Sequence, residues 1–194
     1  MSAPLFKQIG LIPWYVFCVY WAITALGVKR TKATEKSVDR AATIVVMLAG
    51  FVLLFDETVR LGWLDSRFAP PDDGIAWAAI ASTYLGVSLA VWARYCIGEY
   101  WSGRVTLKEG HRLIQSGPYR FVRHPIYTGL FTAVIGRALI IGEWRDLLGV
   151  FLVLVTHARK AQREEKLLIS EFGDEYQGYR KVTGFLFPRL NRSV

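Results

Sequence analysis

The chain has 194 residues, which is within the usual size of one domain, and we treat residues 1–194 as a single unit. Apolar residues make up 53% of it, and the net charge is +8 with a pI near 9.7. In a soluble protein that charge would suggest nucleic-acid binding. Here the basic residues flank long apolar blocks, which favours contact with anionic lipid and excludes nucleic acid as the expected partner.

The apolar blocks are long enough to predict membrane helices. Residues 10–28 carry no charge over about 20 residues, the length that crosses a bilayer. Residues 41–55 form a shorter second block, and residues 74–93 form a third. Two more helices fit within residues 126–158, which charged residues interrupt near the middle. The sequence therefore predicts an all-α, polytopic membrane protein with five transmembrane helices.

The loop charges predict the orientation of these helices. The first loop, the third loop and the tail after residue 158 are rich in Lys and Arg, whereas the second and fourth loops are mainly acidic. Basic loops stay on the cytoplasmic side, so we expect an external N-terminus and a cytoplasmic C-terminus. The first apolar run is expected to remain attached, since it is too long for a signal peptide and Lys29 follows it. The compact length favours a bacterial inner membrane, with the endoplasmic reticulum as the alternative.

Glycine spacing predicts a close helix pair in the C-terminal half. Gly129 and Gly136 are seven residues apart, as are Gly142 and Gly149, so each pair lies near one helix face. We expect these small residues to let the fourth and fifth spans pack tightly against each other. The spacing gives no indication of an oligomeric state.

The third loop contains a candidate anion site. Gly117 and Pro118 form a turn signal, and Pro125 suits the first position of the fourth span. His124 would then lie at the N-cap, where free backbone N–H groups and the nearby Arg123 favour an anion. The alternative is that Arg123 only anchors the helix at the membrane and that His124 only caps it.

The segment from Arg159 to Val182 is expected to be a cytoplasmic helix or helix pair. At 100° per residue, Glu165 projects onto an apolar face, whereas Glu164 lies off that face. The apolar face is formed by Leu168, Phe172, Tyr176 and Tyr179. A carboxylate on such a face needs a partner, while Glu164 fits a solvated surface. Gly173 could end the first helix, because glycine is common just past a helix end.

Two motifs in this half resemble a known family. The pattern H-x-L-x-x-x-G-P-Y-x-x-x-R-H-P-x-Y-x-G is followed, after two spans, by R-E-E-x-x-L-x-x-x-F-G-x-E-Y-x-x-Y and a late Pro188. Together they are similar to the isoprenylcysteine carboxyl methyltransferase family and its phospholipid methyltransferase relatives. The resemblance runs from His111 to Pro188, which is 78 of the 194 residues. Residues 1–100 match only as helical spans.

The resemblance implies an S-adenosyl-L-methionine-dependent enzyme with a lipophilic or prenylated acceptor that enters from the bilayer. The chain has no G-x-G-x-x-G dinucleotide fingerprint, so the cofactor would be held without a Rossmann fold. No metal is implied. The implied cofactor-binding residues are His111, Leu113, Gly117, Pro118, Tyr119, Arg123, His124, Pro125, Tyr127, Gly129, Glu164 and Glu165.

The acceptor decides which residues take part in the chemistry. A carboxylate acceptor needs a cation to hold it, for which Arg163 and Arg159 are the candidates. An amine or thiol acceptor needs a general base, for which Glu165 or His111 could serve. The sequence leaves both open. We expect Glu165→Gln to weaken cofactor binding more than Glu164→Gln, because only Glu165 shares the apolar face.

Two other functions compete with methyl transfer. Membrane sterol reductases that use NADPH share a similar R-H-P-x-Y-x-G segment, although the R-E-E motif favours a methyltransferase. The second alternative is a non-catalytic helical scaffold whose basic loops only bind anionic lipid. Binding of S-adenosylhomocysteine, of NADPH, or of neither would distinguish the three.

Overall fold

The computed structural model describes residues 3–28, 31–34, 37–103, 106–108, 110 and 112–189. Its helices are α1 (Ala3–Ala25), α2 (Ser37–Phe55), α3 (Asp73–Ile97), α4 (Pro125–Ile141) and α5 (Trp144–Val182). Short 3₁₀ turns span Gly62–Asp65, Gly98–Tyr100 and Gly117–Arg120. The predicted helical fold is confirmed, and each predicted span corresponds to a helix.

One feature departs from the all-α expectation. A short antiparallel ladder joins β1 (Thr31–Thr34), which follows α1, to β2 (Thr106–Lys108), which follows α3. Thr34 pairs with Thr106, and Thr31 pairs with Lys108 across an irregular register. The ladder brings the first and third loops together at one end of the helices.

Five transmembrane helices are not confirmed. Two helices, Pro4–Ala25 and Asp73–Tyr100, are long and apolar enough to cross a membrane in the described part of the chain. The apolar helices Ala41–Phe55 and Pro125–Ile141 are shorter. At a rise of about 1.5 Å per residue, the 17 residues of α4 extend about 26 Å, less than the hydrocarbon thickness of about 30 Å.

The glycines of α4 and α5 pack against helices other than those predicted. A Cβ on Gly129 would lie 2.5 Å from the carbonyl oxygen of Gly86, so this glycine meets α3 rather than α5. Gly149, on α5, would place a Cβ 2.8 Å from the carbonyl oxygen of Gly50 on α2. The predicted glycine-mediated α4–α5 pair is therefore wrong. The close approaches are α4 to α3 and α5 to α2.

Helix α5 is bent at Gly173, as the sequence suggested. Gly173 has φ 50° and ψ −121°, which is non-helical and which only glycine adopts readily. After the bend, Tyr176 and Tyr179 are buried. The Tyr179 hydroxyl donates a hydrogen bond to the carbonyl of Tyr119 at 2.6 Å. Because burial raises the pKa of the Tyr179 phenol, it remains a protonated donor.

Candidate functional site

A cavity lies between the end of α3, the loop that leads into α4, and the second half of α5. It encloses about 120 Å³. The predicted site residues that line it are Leu113, Tyr119, Arg123, His124, Tyr127 and Glu164. The motif residues from the third loop and from α5 therefore meet at one place.

His124 connects the start of α4 to both glutamates of α5. It is the N-cap residue of α4 and Pro125 is the first helical residue, as predicted. The imidazole does not cap the helix. Its Nδ1 lies 3.6 Å from Oε2 of Glu164, and its Nε2 lies 3.5 Å from Oε1 of Glu165. The residue is 7% exposed, so its ring is buried beside both carboxylates at the N-terminus of α4.

Arg123 forms a buried ion pair with Glu165. Its Nε lies 2.5 Å from Oε1 of Glu165, and its Nη1 donates to the carbonyl of Thr183 at 2.6 Å. Arg180 approaches the other oxygen of Glu165 at 3.5 Å. Burial would raise the pKa of the Glu165 carboxyl, but the hydrogen bonds and positive charge of His124 and Arg123 lower it to about 2. Glu165 is therefore an anion near neutral pH.

The segment after α5 packs back onto the loop before α4. The backbone N–H of Arg123 donates to the carbonyl of Gly184 at 2.9 Å, and that of Gly184 donates to the carbonyl of Phe121 at 3.0 Å. The Thr128 hydroxyl donates to the carbonyl of Leu186 at 2.7 Å. These bonds hold Arg123 and His124 in place. Sequence reasoning missed them because their acceptors are main-chain carbonyls, which leave no pattern in the sequence.

Glu164 lies in the cavity wall beside Tyr127. The Tyr127 hydroxyl donates to Oε1 of Glu164 at 2.8 Å, and Nζ of Lys160 lies 3.9 Å from the same oxygen. Glu164 is more exposed than Glu165, as the helical projection predicted, yet it lines the cavity. Glu165 is buried in its ion pair with Arg123, which is the partner that a carboxylate on the apolar face needs.

The remaining predicted cofactor residues lie outside the cavity lining. Gly117 has φ 57°, and a Cβ there would lie 2.6 Å from Sγ of Cys96, so it serves the turn. Pro118 and Pro125 are buried where the backbone enters the 3₁₀ turn and α4. Gly129 packs against α3. His111 lies outside the described residues.

Arg159 and Arg163 line a second cavity, which lies between α2 and α5. Nη2 of Arg163 donates to the Thr43 hydroxyl on α2 at 3.0 Å. Neither arginine lines the cavity that contains Glu164. Adjacent residues of a helix point about 100° apart, so Arg163 faces the second cavity whereas Glu164 faces the first.

The first cavity also contains residues that sequence reasoning missed. Tyr100 and Trp101 follow α3, and Arg112 precedes the G-P-Y turn. The indole of Trp101 lies 4.6 Å from the guanidinium carbon of Arg94 and contacts Trp21 of α1 edge-on. The sequence feature that could have identified them is the aromatic pair directly after an apolar span. In membrane proteins, Trp and Tyr are common at that position, the membrane–water interface.

Comparison with known proteins agrees with this arrangement. A sequence profile of the Isoprenylcysteine carboxyl methyltransferase (ICMT) family matches residues 79–170. The chain is 35% identical over 107 residues to the protein-S-isoprenylcysteine O-methyltransferase of Schizosaccharomyces pombe. That alignment covers 54% of this chain and 45% of the yeast protein. It is 33% identical over 112 residues to the cobalt-zinc-cadmium resistance protein CzcN of Cupriavidus metallidurans. This alignment covers 55% of the present chain and 48% of CzcN.

A solved structure shares the fold. The eukaryotic intramembrane Ras methyltransferase ICMT aligns with a TM-score of 0.52 at 24% identity, over 76% of this chain and 52% of that one. The chain thus spans about half the length of the relatives it matches. The matched range contains 15 of the 17 described residues that line the cavity, and only Tyr176 and Tyr179 of that set lie beyond it. Residues 79–170 are therefore similar to the isoprenylcysteine carboxyl methyltransferase family.

Proposed function

We propose that the protein transfers a methyl group from S-adenosyl-L-methionine to the carboxylate of a lipophilic, isoprenylcysteine-like acceptor. The observation that carries this proposal is the position of Glu164 and Tyr127 in a cavity with aromatic and apolar walls. A carboxylate and an electron-rich ring suit a cationic sulfonium. The similarity of residues 79–170 to the isoprenylcysteine carboxyl methyltransferase family supports the same chemistry.

The residues of the cavity fit this cofactor in chemical type. Tyr100, Trp101 and Tyr127 offer aromatic faces for the adenine and the sulfonium, and Glu164 offers an acceptor for ribose hydroxyls or a counter-charge. The cavity of about 120 Å³ is smaller than the roughly 300 Å³ typical of small-molecule sites. We therefore infer that its walls move apart when the cofactor binds.

When bound, the cofactor supplies a methyl group activated by a positively charged sulfur. Held beside Glu164 and Tyr127, it would supply this methyl group to a carboxylate oxygen of the acceptor, and the electron pair of the carbon–sulfur bond would remain on sulfur. No proton is transferred, so a carboxylate acceptor requires no general base. The protein contributes by positioning the reactants and excluding water, effects that together lower such barriers by about 7 to 11 kcal/mol.

Arg112 is the cation that we assign to the acceptor carboxylate. It lines the cavity and is exposed, whereas Arg123 is engaged by Glu165. The earlier candidates Arg159 and Arg163 line the other cavity. Apolar residues of the first cavity would contact the lipid part of the acceptor. They are Ile97, Leu113, Ile114, Ile126, Leu167 and Leu168.

The membrane topology is part of this proposal. We place residues 1–194 as one domain in a bacterial inner membrane, with the N-terminus outside, the C-terminus cytoplasmic, and residues 101–194 as the cofactor-binding and catalytic half. The basic first loop, third loop and tail support this orientation. Cysteine-scanning accessibility at Ser66, in the second loop, and Ser170, on α5, would test it. We expect external labelling at the first position only.

The test of function is binding followed by turnover. We expect detergent-purified protein to bind S-adenosylhomocysteine but not NADPH in calorimetry, and to methylate S-farnesylcysteine with labelled S-adenosylmethionine. The matched control is the same acceptor with an amidated carboxyl group, which should accept no methyl group. NADPH binding would support the reductase alternative, and binding of neither nucleotide would support the scaffold. The relatives described above lend no support to either alternative.

A further inference from the structure

Lys160 is a half-buried cation whose contacts the proposed methyl transfer does not use. Its Nζ lies 3.9 Å from Oε1 of Glu164 and 5.6 Å from the centre of the Tyr127 ring. The same Oε1 accepts a hydrogen bond from the Tyr127 hydroxyl at 2.8 Å. Lys160 is not among the residues that line the first cavity, whereas Glu164 and Tyr127 both line it. The ammonium therefore lies behind the two groups that we assign to the cofactor.

An ammonium and a sulfonium are recognised by the same kinds of group. Both are cations, and both are stabilised by a nearby carboxylate and by an aromatic ring whose centre lies within about 6 Å. Lys160 already supplies a cation to Glu164 and to Tyr127. A positively charged ligand beside Glu164 therefore has to share these groups with the lysine, whereas a neutral ligand does not.

The contact between Lys160 and Glu164 can be given up without loss of a hydrogen bond. Nζ donates to the carbonyl of Gly103 at 2.9 Å, whereas its separation of 3.9 Å from Glu164 is beyond hydrogen-bond distance. The Lys160 side chain is 19% exposed, and its four-carbon stem is flexible. The ammonium can therefore move off the carboxylate and remain bound to Gly103, which does not line the cavity.

Helix stability alone accounts poorly for this pair. Lys160 precedes Glu164 by four residues, and a lysine before a glutamate is the less stabilising order for such a pair. Glu164 also has a hydrogen-bond donor in Tyr127. The position of the ammonium is better explained by the carboxylate and the ring that line the cavity.

We propose that Lys160 sets the preference of the site between the cationic methyl donor and its neutral product, by competing with the sulfonium for Glu164. This inference rests on the proposed function. In the empty protein the ammonium balances the charge of Glu164. It moves off the carboxylate when a sulfonium is bound and returns when the sulfur is neutral. Lys160 thus acts through Glu164, and it weakens binding of S-adenosylmethionine relative to S-adenosylhomocysteine.

Calorimetry on detergent-purified Lys160→Gln tests the proposal, because glutamine removes the charge and keeps a donor for the Gly103 carbonyl. We expect the dissociation constant of S-adenosylmethionine to fall about fivefold, which is the order of magnitude that contacts of a partly exposed cation contribute. That of S-adenosylhomocysteine should change less than twofold. Lys160→Arg keeps the charge and should stay within twofold of the wild type for both ligands. Lys166→Gln removes an exposed cation of the same helix and should change neither constant.

The outcomes that contradict the proposal are distinct from those that contradict methyl transfer. Equal changes for both ligands, or weaker binding of S-adenosylmethionine by Lys160→Gln, would overturn the competition. In a Glu164→Gln background the effect of Lys160→Gln should shrink below twofold, since no carboxylate is left to share, and an undiminished effect would overturn the route through Glu164. Wild-type protein that binds neither compound would refute the methyltransferase proposal itself. Wild-type binding with an unchanged ratio in Lys160→Gln would refute only the role of Lys160.

Discussion

Arg123 and Glu165, which are 42 positions apart in the sequence, form an ion pair with 2.5 Å between Nε and Oε1. Both side chains are largely buried, at 9% and 10% exposure. The pair fixes the loop before α4 to the middle of α5 and so holds Glu164, the next residue along, at the cavity wall. Arg123 lines the cavity and Glu165 does not, so the role of Glu165 is to hold Arg123 and the helix in place.

Glu165→Gln should destabilise the protein by about 3 to 5 kcal/mol, because it leaves the buried Arg123 guanidinium without its counter-charge. Thermal unfolding in detergent, followed by far-UV circular dichroism, measures the effect. Glu175→Gln is the matched control, since Glu175 is exposed on the same helix. Equal melting temperatures for the two variants would contradict a stabilising role for the pair.

The same pair predicts an acid-dependent loss of stability. The pKa of Glu165 is lowered from 4.5 to about 2 in the folded protein, so the folded state favours the ionised carboxylate. The stabilisation is present in full above about pH 4.5 and is lost as the pH falls towards 2, amounting to about 3 kcal/mol. The difference in melting temperature between the wild type and Glu165→Gln should therefore shrink over this range. A constant difference from pH 7 to pH 3 would exclude the predicted linkage.

Glu164→Gln should affect the charged cofactor more than its neutral product. A carboxylate near the sulfonium attracts S-adenosylmethionine but not the uncharged sulfur of S-adenosylhomocysteine. We expect the dissociation constant to rise about tenfold for the first and less than threefold for the second, as measured by calorimetry. Equal losses for both ligands would instead place Glu164 at the ribose, which both compounds share.

The sequence predicted the features that depend on local chemistry. His124 at the N-cap, Pro125 at the first helical position and the break at Gly173 all follow from backbone preferences of a few neighbouring residues. These rules need no knowledge of the partner helix. That the third-loop motif and the α5 motif meet at one cavity was instead implied by the family resemblance.

Which helices pack against each other was less predictable from the sequence. Helical periodicity shows which residues share a face but not which helix covers that face, so Gly129 was placed against α5 when it meets Gly86 of α3. The helical projection put Glu165 on the buried face of α5, where it lies, but did not show that the neighbouring Glu164 lines the cavity. The backbone pairing through Gly184 leaves no side-chain pattern to read.

Gly129→Ala should destabilise the protein through helix packing and not through cofactor contact. The new Cβ would lie 2.5 Å from the carbonyl oxygen of Gly86 and 2.7 Å from the backbone nitrogen of Ala90, and both are fixed main-chain atoms. Overpacking of this kind costs about 1 to 3 kcal/mol. Gly178→Ala is the matched control, because it lies in open space on α5 and should be neutral or stabilising.

Measuring the affinity of Gly129→Ala for S-adenosylhomocysteine distinguishes a packing role of Gly129 from a role in cofactor binding. The folded fraction of Gly129→Ala should bind S-adenosylhomocysteine with a dissociation constant within twofold of the wild type. A large loss of affinity without a loss of stability would return Gly129 to the cofactor site that the family resemblance implied.

Arg112→Gln should weaken binding of the acceptor while leaving the cofactor bound. Arg112 lines the first cavity, whereas Arg163 lines the second, so the comparator Arg163→Gln removes a cation from the other side of α5. We expect the KM for S-farnesylcysteine to rise at least tenfold in Arg112→Gln, because a hydrogen bond to a charged group contributes about 1.5 to 3 kcal/mol. The dissociation constant of S-adenosylhomocysteine should change less than threefold. A larger rise in KM for Arg163→Gln would place the acceptor carboxylate in the second cavity, and loss of cofactor binding in Arg112→Gln would assign this arginine to the cofactor's own carboxylate.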